Sequence, residues 1–177
     1  GKQIDIKLRE CIIKDFFPIL DDILNHRHSK YIFPGGRGST KSSFIGGIAI
    51  PMLITIYPNI HAVCFRKVGN TIQNSIHSQI VWGINQLGVD ELFKVPRTYS
   101  SPIVYKPTGQ KIYFRGADDP AKIKSINPFN ISSNNSDSPI VAAIARNFVH
   151  LAISNRWSWP IPPTVITAGA AYASLCD

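Results

Sequence analysis

Gly35, Gly36 and Gly38 are followed at once by Thr40, Lys41, Ser42 and Ser43, a composition suited to holding phosphate. Glycines accept positive φ and let backbone N–H groups converge on anionic oxygens. A lysine at the end of such a turn reaches the β- and γ-phosphates, and the hydroxyl after it can hold Mg²⁺. The spacing follows G-x-x-x-x-G-K-[ST], with Gly35, Lys41 and Ser42 in register. Thr40 stands where the pattern asks for its second glycine, so a β-branched residue must adopt that backbone conformation. The alternative is a glycine-rich surface turn ahead of a helix.

The flanking elements have the order such a loop needs. Tyr31–Phe33 is a short β-prone run. Ser42–Ile56 is apolar and reads as a buried helix, whose N-terminal partial charge faces the same anion. Pro51 falls inside it and is expected to kink or shorten it. His61–Phe65 is continuously apolar, as expected of a buried parallel strand. Arg66 and Lys67 follow at its C-terminal end, the edge where open α/β sheets bind ligands. They are candidates for function there, or simply a solvated strand end.

Elsewhere the pattern is coarser. Residues 4–24 carry apolar residues at near-helical spacing, broken at Pro18, which can open a second helix. Phe16 and Phe17 are candidates to lie over a nucleotide base or to pack in the core. Ile72, Ile76, Ile80, Ile84 and Leu87 predict an amphipathic helix over Thr71–Leu87, stopped by Gly88. Ile103–Tyr105 and Lys111–Phe114, joined through Pro107 and Gly109, predict a hairpin. Asn127–Pro139 has loop composition. Ile140–Ile153 reads as a helix, and charges are few after Asp137.

The chain has 177 residues, 44% hydrophobic, with a net charge of +8. That length supports one domain with a real core. The basic balance favours polyanionic partners, nucleic acid or nucleotide, over a neutral soluble surface. Cys11, Cys64 and Cys176 are odd in number and widely spaced, so free thiols in a reducing compartment are expected and a zinc pattern is not. No secretory leader is visible, and the longest apolar run is too short to span a bilayer.

Taken together, the loop from Gly35 to Ser43, then Phe65, Arg66 and Lys67, then Trp82 with Leu87 and Gly88, Phe93 with Lys94, and the segment Thr108–Ile126 resemble the large terminase subunit of tailed bacteriophages, of the PBSX type. The similarity runs from about residue 28 to residue 126. It implies a RecA-like P-loop ATPase, a three-layer α/β sandwich with the strand from Tyr31 central. The strand from His61 would lie beside it or one place away, and the hairpin toward an edge. The implied activity is ATP-driven movement of double-stranded DNA into a procapsid in the bacterial cytoplasm. ATP and Mg²⁺ are the implied cofactors; the portal protein and the small terminase subunit are the implied partners.

Carried over by residue, Gly35, Gly36, Gly38, Ser39, Thr40 and Ser43 would cradle phosphate, with Lys41 pairing it and Ser42 holding Mg²⁺. Arg37 resembles a loop arginine that stabilises the γ-phosphate, where charge spreads during transfer. Arg66, Lys67, Lys122 and Lys124 are candidates for DNA backbone contact or for coupling to nucleotide state.

The departure begins after Ile126. The family continues into an apolar strand ending in two acids, one for Mg²⁺ and one for the attacking water, and later into a nuclease domain. Asp137 is isolated, and Asp118 and Asp119 belong to the turn before Pro120. We therefore expect residues 1–126 to be a partial ATPase domain, its three-layer sandwich incomplete, and residues 127–177 an unrelated or frameshifted tail; the chain as a whole is expected to bind nucleotide weakly and to hydrolyse it poorly. The competing expectation is a non-enzymatic, basic nucleic-acid-binding remnant. A helicase or kinase would need motifs that are not seen.

Overall fold

The computed structural model describes residues 8–25, 27–28, 30–35, 40–58, 60–66, 68–116, 138–144 and 148–153. Two short helices come first, α1 (Leu8–Cys11) and α2 (Phe17–Leu24), the second opened by Pro18 as the sequence suggests. Strand β1 (Lys30–Pro34) leads into the phosphate-loop region. Helix α3 (Ile50–Ile56) continues without a break from wide π-type turns over Ser43–Ala49. Strand β2 (Ile60–Arg66) precedes π-type turns over Gln73–His77 and helix α4 (Ser78–Gln86). Strands β3 (Phe93–Lys94), β4 (Ile103–Tyr105) and β5 (Lys111–Gly116) follow, then β6 (Ser138–Ile144) and β7 (Phe148–Ile153).

The wide turns have local causes. Pro51 has no N–H to give the carbonyl four residues back. The helical run passes through it by widening: the Ile50 N–H bonds Ile45 O, five residues back. In the other run, apolar residues recur every four positions, overshooting a 3.6-residue turn by about 40° each time. A wide turn, with the His77 N–H on Ile72 O at 3.2 Å, rotates the stripe back. Ile72, Ile76, Ile80, Ile84 and Leu87 all end up buried.

The seven strands form one mixed sheet in the order β1-β7-β6-β2-β5-β4-β3. β2 is parallel to both β5 and β6, whereas β7 is antiparallel to β6 and β1. Strands β1, β6, β2 and β5 therefore point the same way. The helical segments described pack on the face presented by Phe33, Ala62, Cys64, Ile112 and Phe114. The crossovers from β1 to β2 and from β2 to β5 advance in one direction, and right-handed connections then fall on one side.

Two expectations are corrected here. Residues 140–144 and 148–153 lie in strands rather than in a helix. An apolar run whose one charge is Arg146 has no periodicity to separate the two states, and here pairing with β2 decides it. β1 is not central: it lies at the end of the order, with β7 and β6 between it and β2. Among the described residues the helices pack on one sheet face. The hairpin does lie toward an edge, as β5-β4-β3.

The two helical runs cross closely through glycines. A methyl on Gly83 would sit 1.6 Å from Gly47 O, and one on Gly46 would sit 2.7 Å from Ile76 Cδ1. Only hydrogen atoms allow the backbones to approach so near. At the far end of α3, buried Gln110 donates through Nε2 to Ile54 O at 3.0 Å and to Tyr57 O. It thereby satisfies carbonyls that a helix end leaves open.

Candidate nucleotide site

β1 delivers the loop. Phe33 is buried in the core, and Tyr31 ties the strand to α2 through its hydroxyl, which donates to Asp22 Oδ1 at 2.6 Å. Burial and the Asp22 carboxylate push the Tyr31 phenol up to about 12. The same carboxylate takes His28 Nδ1 at 2.8 Å; its hydrogen bonds from Tyr31 and His28 hold it below the usual range.

Beyond Pro34, Gly35 has φ +140°, in the region that favours glycine. Gly36, Arg37, Gly38 and Ser39 lie outside the described residues. Thr40 has φ +57° and is the one described non-glycine residue with positive φ. The chain thus keeps at Thr40 the left-handed backbone that the pattern's glycine would adopt. Such strain costs about 1–3 kcal/mol and persists where the surrounding structure dictates it.

Lys41 comes next, 5% exposed, with Nζ donating to Gly35 O. Burial lowers its pKa. The ammonium therefore bridges the two ends of the loop. The Phe44 N–H bonds Thr40 O at 2.9 Å, closing the first helical turn. Ser42 and Ser43 are half-buried in that turn. The structure thus brings together Gly35, Thr40, Lys41, Ser42 and Ser43.

Two hollows flank the loop. One, of about 500 Å³, is lined by Lys41, Pro34, Phe33, Tyr31 and Phe16 among others. The second, of about 430 Å³, is lined by Thr40, Ser43, Phe44, Phe16, Ile13 and Trp82 among others. Phe16 borders both and stacks on Phe44, with ring centroids 4.3 Å apart and planes at 6°. It serves core packing and the cavity walls at once. Phe17 begins α2.

Arg66 is at the same sheet edge as the loop but not beside it. Three strand spacings separate β2 from β1, roughly 14 Å. Its Nε donates to Thr71 Oγ1 at 2.7 Å, and that hydroxyl bonds Val68 O at 2.8 Å. Lys67, Lys122 and Lys124 fall outside the described residues. Among the described residues no group of three or more His, Cys, Asp or Glu could hold a metal, and no helix is long and apolar enough to cross a membrane. Cys11 Sγ donates to Gln86 O at 3.8 Å, and Cys64 is buried.

Sequence reasoning did not place Trp82 or Glu10 at this site. Trp82 lies off the buried isoleucine stripe and is 41% exposed; a large aromatic off the apolar face was the signal available.

A family model described as phage terminase large subunit matches residues 27–134. Over 123 residues the chain is 37% identical to the terminase large subunit of Bacillus phage SPP1, covering 68% of this chain and 28% of that protein. Over 124 residues it is 31% identical to the PBSX phage terminase large subunit of Bacillus subtilis strain 168, covering 68% and 27% respectively. The matched part spans little more than a quarter of these relatives. With the family model reaching across more than half its residues, the chain belongs to the phage terminase large subunit family.

Proposed function

We propose that this chain is the ATP-binding segment of a phage DNA-packaging motor, one that moves double-stranded DNA into a procapsid. The portal protein and the small terminase subunit would be its partners. One observation carries the reading: a left-handed Thr40 sets buried Lys41, whose Nζ donates to Gly35 O, directly ahead of a helical run. That is the geometry in which amides and one ammonium grip a triphosphate.

The residues fit Mg²⁺ in a limited way. Ser42 would supply one oxygen, and phosphate oxygens and water the rest, as this ion commonly accepts. The ion would neutralise charge developing on the γ-phosphate. Because the sequence after Ile126 holds no apolar run ending in two acids, we propose that hydrolysis by this chain is slow. Arg37 is proposed to stabilise the γ-phosphate. Residues 1–126 are proposed to be the ATPase segment and residues 127–177 a tail of different origin.

Mg-ATP titration tests the reading. Lys41→Ala is expected to weaken binding by at least tenfold, since hydrogen bonds to charged groups contribute about 1.5–3 kcal/mol each. Unchanged binding in that variant would end the nucleotide claim. The second reading, a nucleic-acid-binding remnant, rests on the net charge of +8. It requires duplex affinity to fall steeply with salt.

A further inference from the structure

The hollow on the Ser43 side of the loop holds features that phosphate binding does not use. Its lining includes Phe16, Phe44 and Trp82, with Ile13, and among the described residues its one charged member is Glu10. A carboxylate at an apolar, aromatic groove repels phosphate and suits an uncharged, flat ring. Its volume of about 430 Å³ falls within the roughly 300–1,000 Å³ typical of small-molecule sites.

The groove's place relative to the loop selects the ring. In a phosphate loop the lysine faces the β- and γ-phosphates, while the backbone N–H groups of the loop hold the α- and β-phosphates. Lys41 borders the other hollow, whereas Thr40 and Ser43 border this one. The end of the nucleotide away from the γ-phosphate therefore leaves the loop toward Ser43 and Trp82.

Trp82 is held for such a role. It is 41% exposed, unlike the isoleucines of its own helix. Its indole edge lies against Gly47: a methyl there would meet Trp82 Cζ3 at 2.9 Å. A glycine under the ring fixes the indole close to the helix that begins at the loop.

We propose that Trp82, reaching from α4, forms the stacking wall of a purine subsite in this groove, positioning the nucleobase whose phosphates occupy the loop. The inference rests on the nucleotide reading above. It also links α4 to the nucleotide, which the loop alone does not do.

The test measures the affinity of the chain for Mg-ATP and for Mg-tripolyphosphate, which lacks a base. Trp82→Leu keeps an apolar group over Gly47 and removes the stacking ring. It is expected to weaken Mg-ATP between about fivefold and a hundredfold, the range for loss of one base stack, and to leave tripolyphosphate unchanged. Trp82→Phe is expected to recover most of the loss. Equal Mg-ATP affinity in wild type and Trp82→Leu overturns the proposal. A parallel fall for both ligands also overturns it, because the damage is then to the loop. Lys41→Ala separates the two readings. Tripolyphosphate binding that depends on Lys41, with ATP no tighter, sinks the purine subsite alone. Absence of any Lys41-dependent binding sinks both.

Discussion

Replacing Gly83 by alanine tests the packing that carries the site. The added methyl would lie 1.6 Å from Gly47 O, 2.3 Å from Gly47 C and 2.5 Å from Gly47 Cα. All three are backbone atoms, so no side chain can swing aside. α4 would have to retreat by about 2 Å to reach an ordinary contact, forfeiting dispersion along the interface. Ile76, Ile80 and Ile84, each 1% exposed or less, line that helical run. Overpacking costs about 1–3 kcal/mol, and more against a fixed obstacle. Alanine's better helix propensity offsets about 1 kcal/mol. We expect a net loss of about 2 kcal/mol or more, read as a lower urea midpoint by circular dichroism. The melting temperature should fall by roughly 4–8 °C, at about 2–4 °C per kcal/mol for a chain this size. Exposed Gln86→Ala, on the same helix, should change stability by less than about 0.5 kcal/mol. A Gly83→Ala protein as stable as wild type would mean that α4 does not cross Gly47, and the reasoning about Trp82 would fall with it.

Other outcomes are expected from single features. Thr40→Gly should raise stability by up to about 1 kcal/mol, because relief of left-handed strain exceeds glycine's extra unfolded-state freedom; a marked loss in urea unfolding would show that the threonine side chain matters more. His77 is buried, with Nδ1 3.2 Å from Gln73 Nε2 and Nε2 without a partner, and burial lowers its pKa from 6.5. The unfolded chain then binds the proton first, so its contribution is complete above pH 6.5 and is lost as pH falls through the folded value. His77→Leu should flatten that acid limb in a stability-versus-pH series. Gln110→Leu would strip the partners of Ile54 O and Tyr57 O and should cost about 1–3 kcal/mol, measured by thermal unfolding.

What could be read from the residues was local. The order strand, Lys41-Ser42, helical run is found in the structure because each part is dictated within a few positions, with residues 36–39 of the turn outside the described residues. The isoleucine stripe from Ile72 to Leu87 was legible for the same reason, although its fourfold spacing concealed a wide turn. The conflict at Thr40 was visible as a missing glycine, and the backbone resolves it by keeping the left-handed shape rather than by relaxing. Strand order was not legible. Whether residues 140–153 pair or coil depends on β2 and β1, and nothing in an apolar run with a single charge, Arg146, encodes a distant neighbour. Trp82 reaches the loop only through the crossing at Gly47, a contact between segments with no shared periodicity.

The place of β7 has a consequence for how the molecule comes together. Lys30 is in register with Ala152, so the mount of the glycine turn waits for residues synthesised late. Closing so long a loop carries an entropic penalty before any contact rewards it. The helical core from Phe44 to Phe114 can condense earlier. Nucleotide grip should therefore be the last property to mature during folding, and the first to vanish when the distal pair of strands is removed.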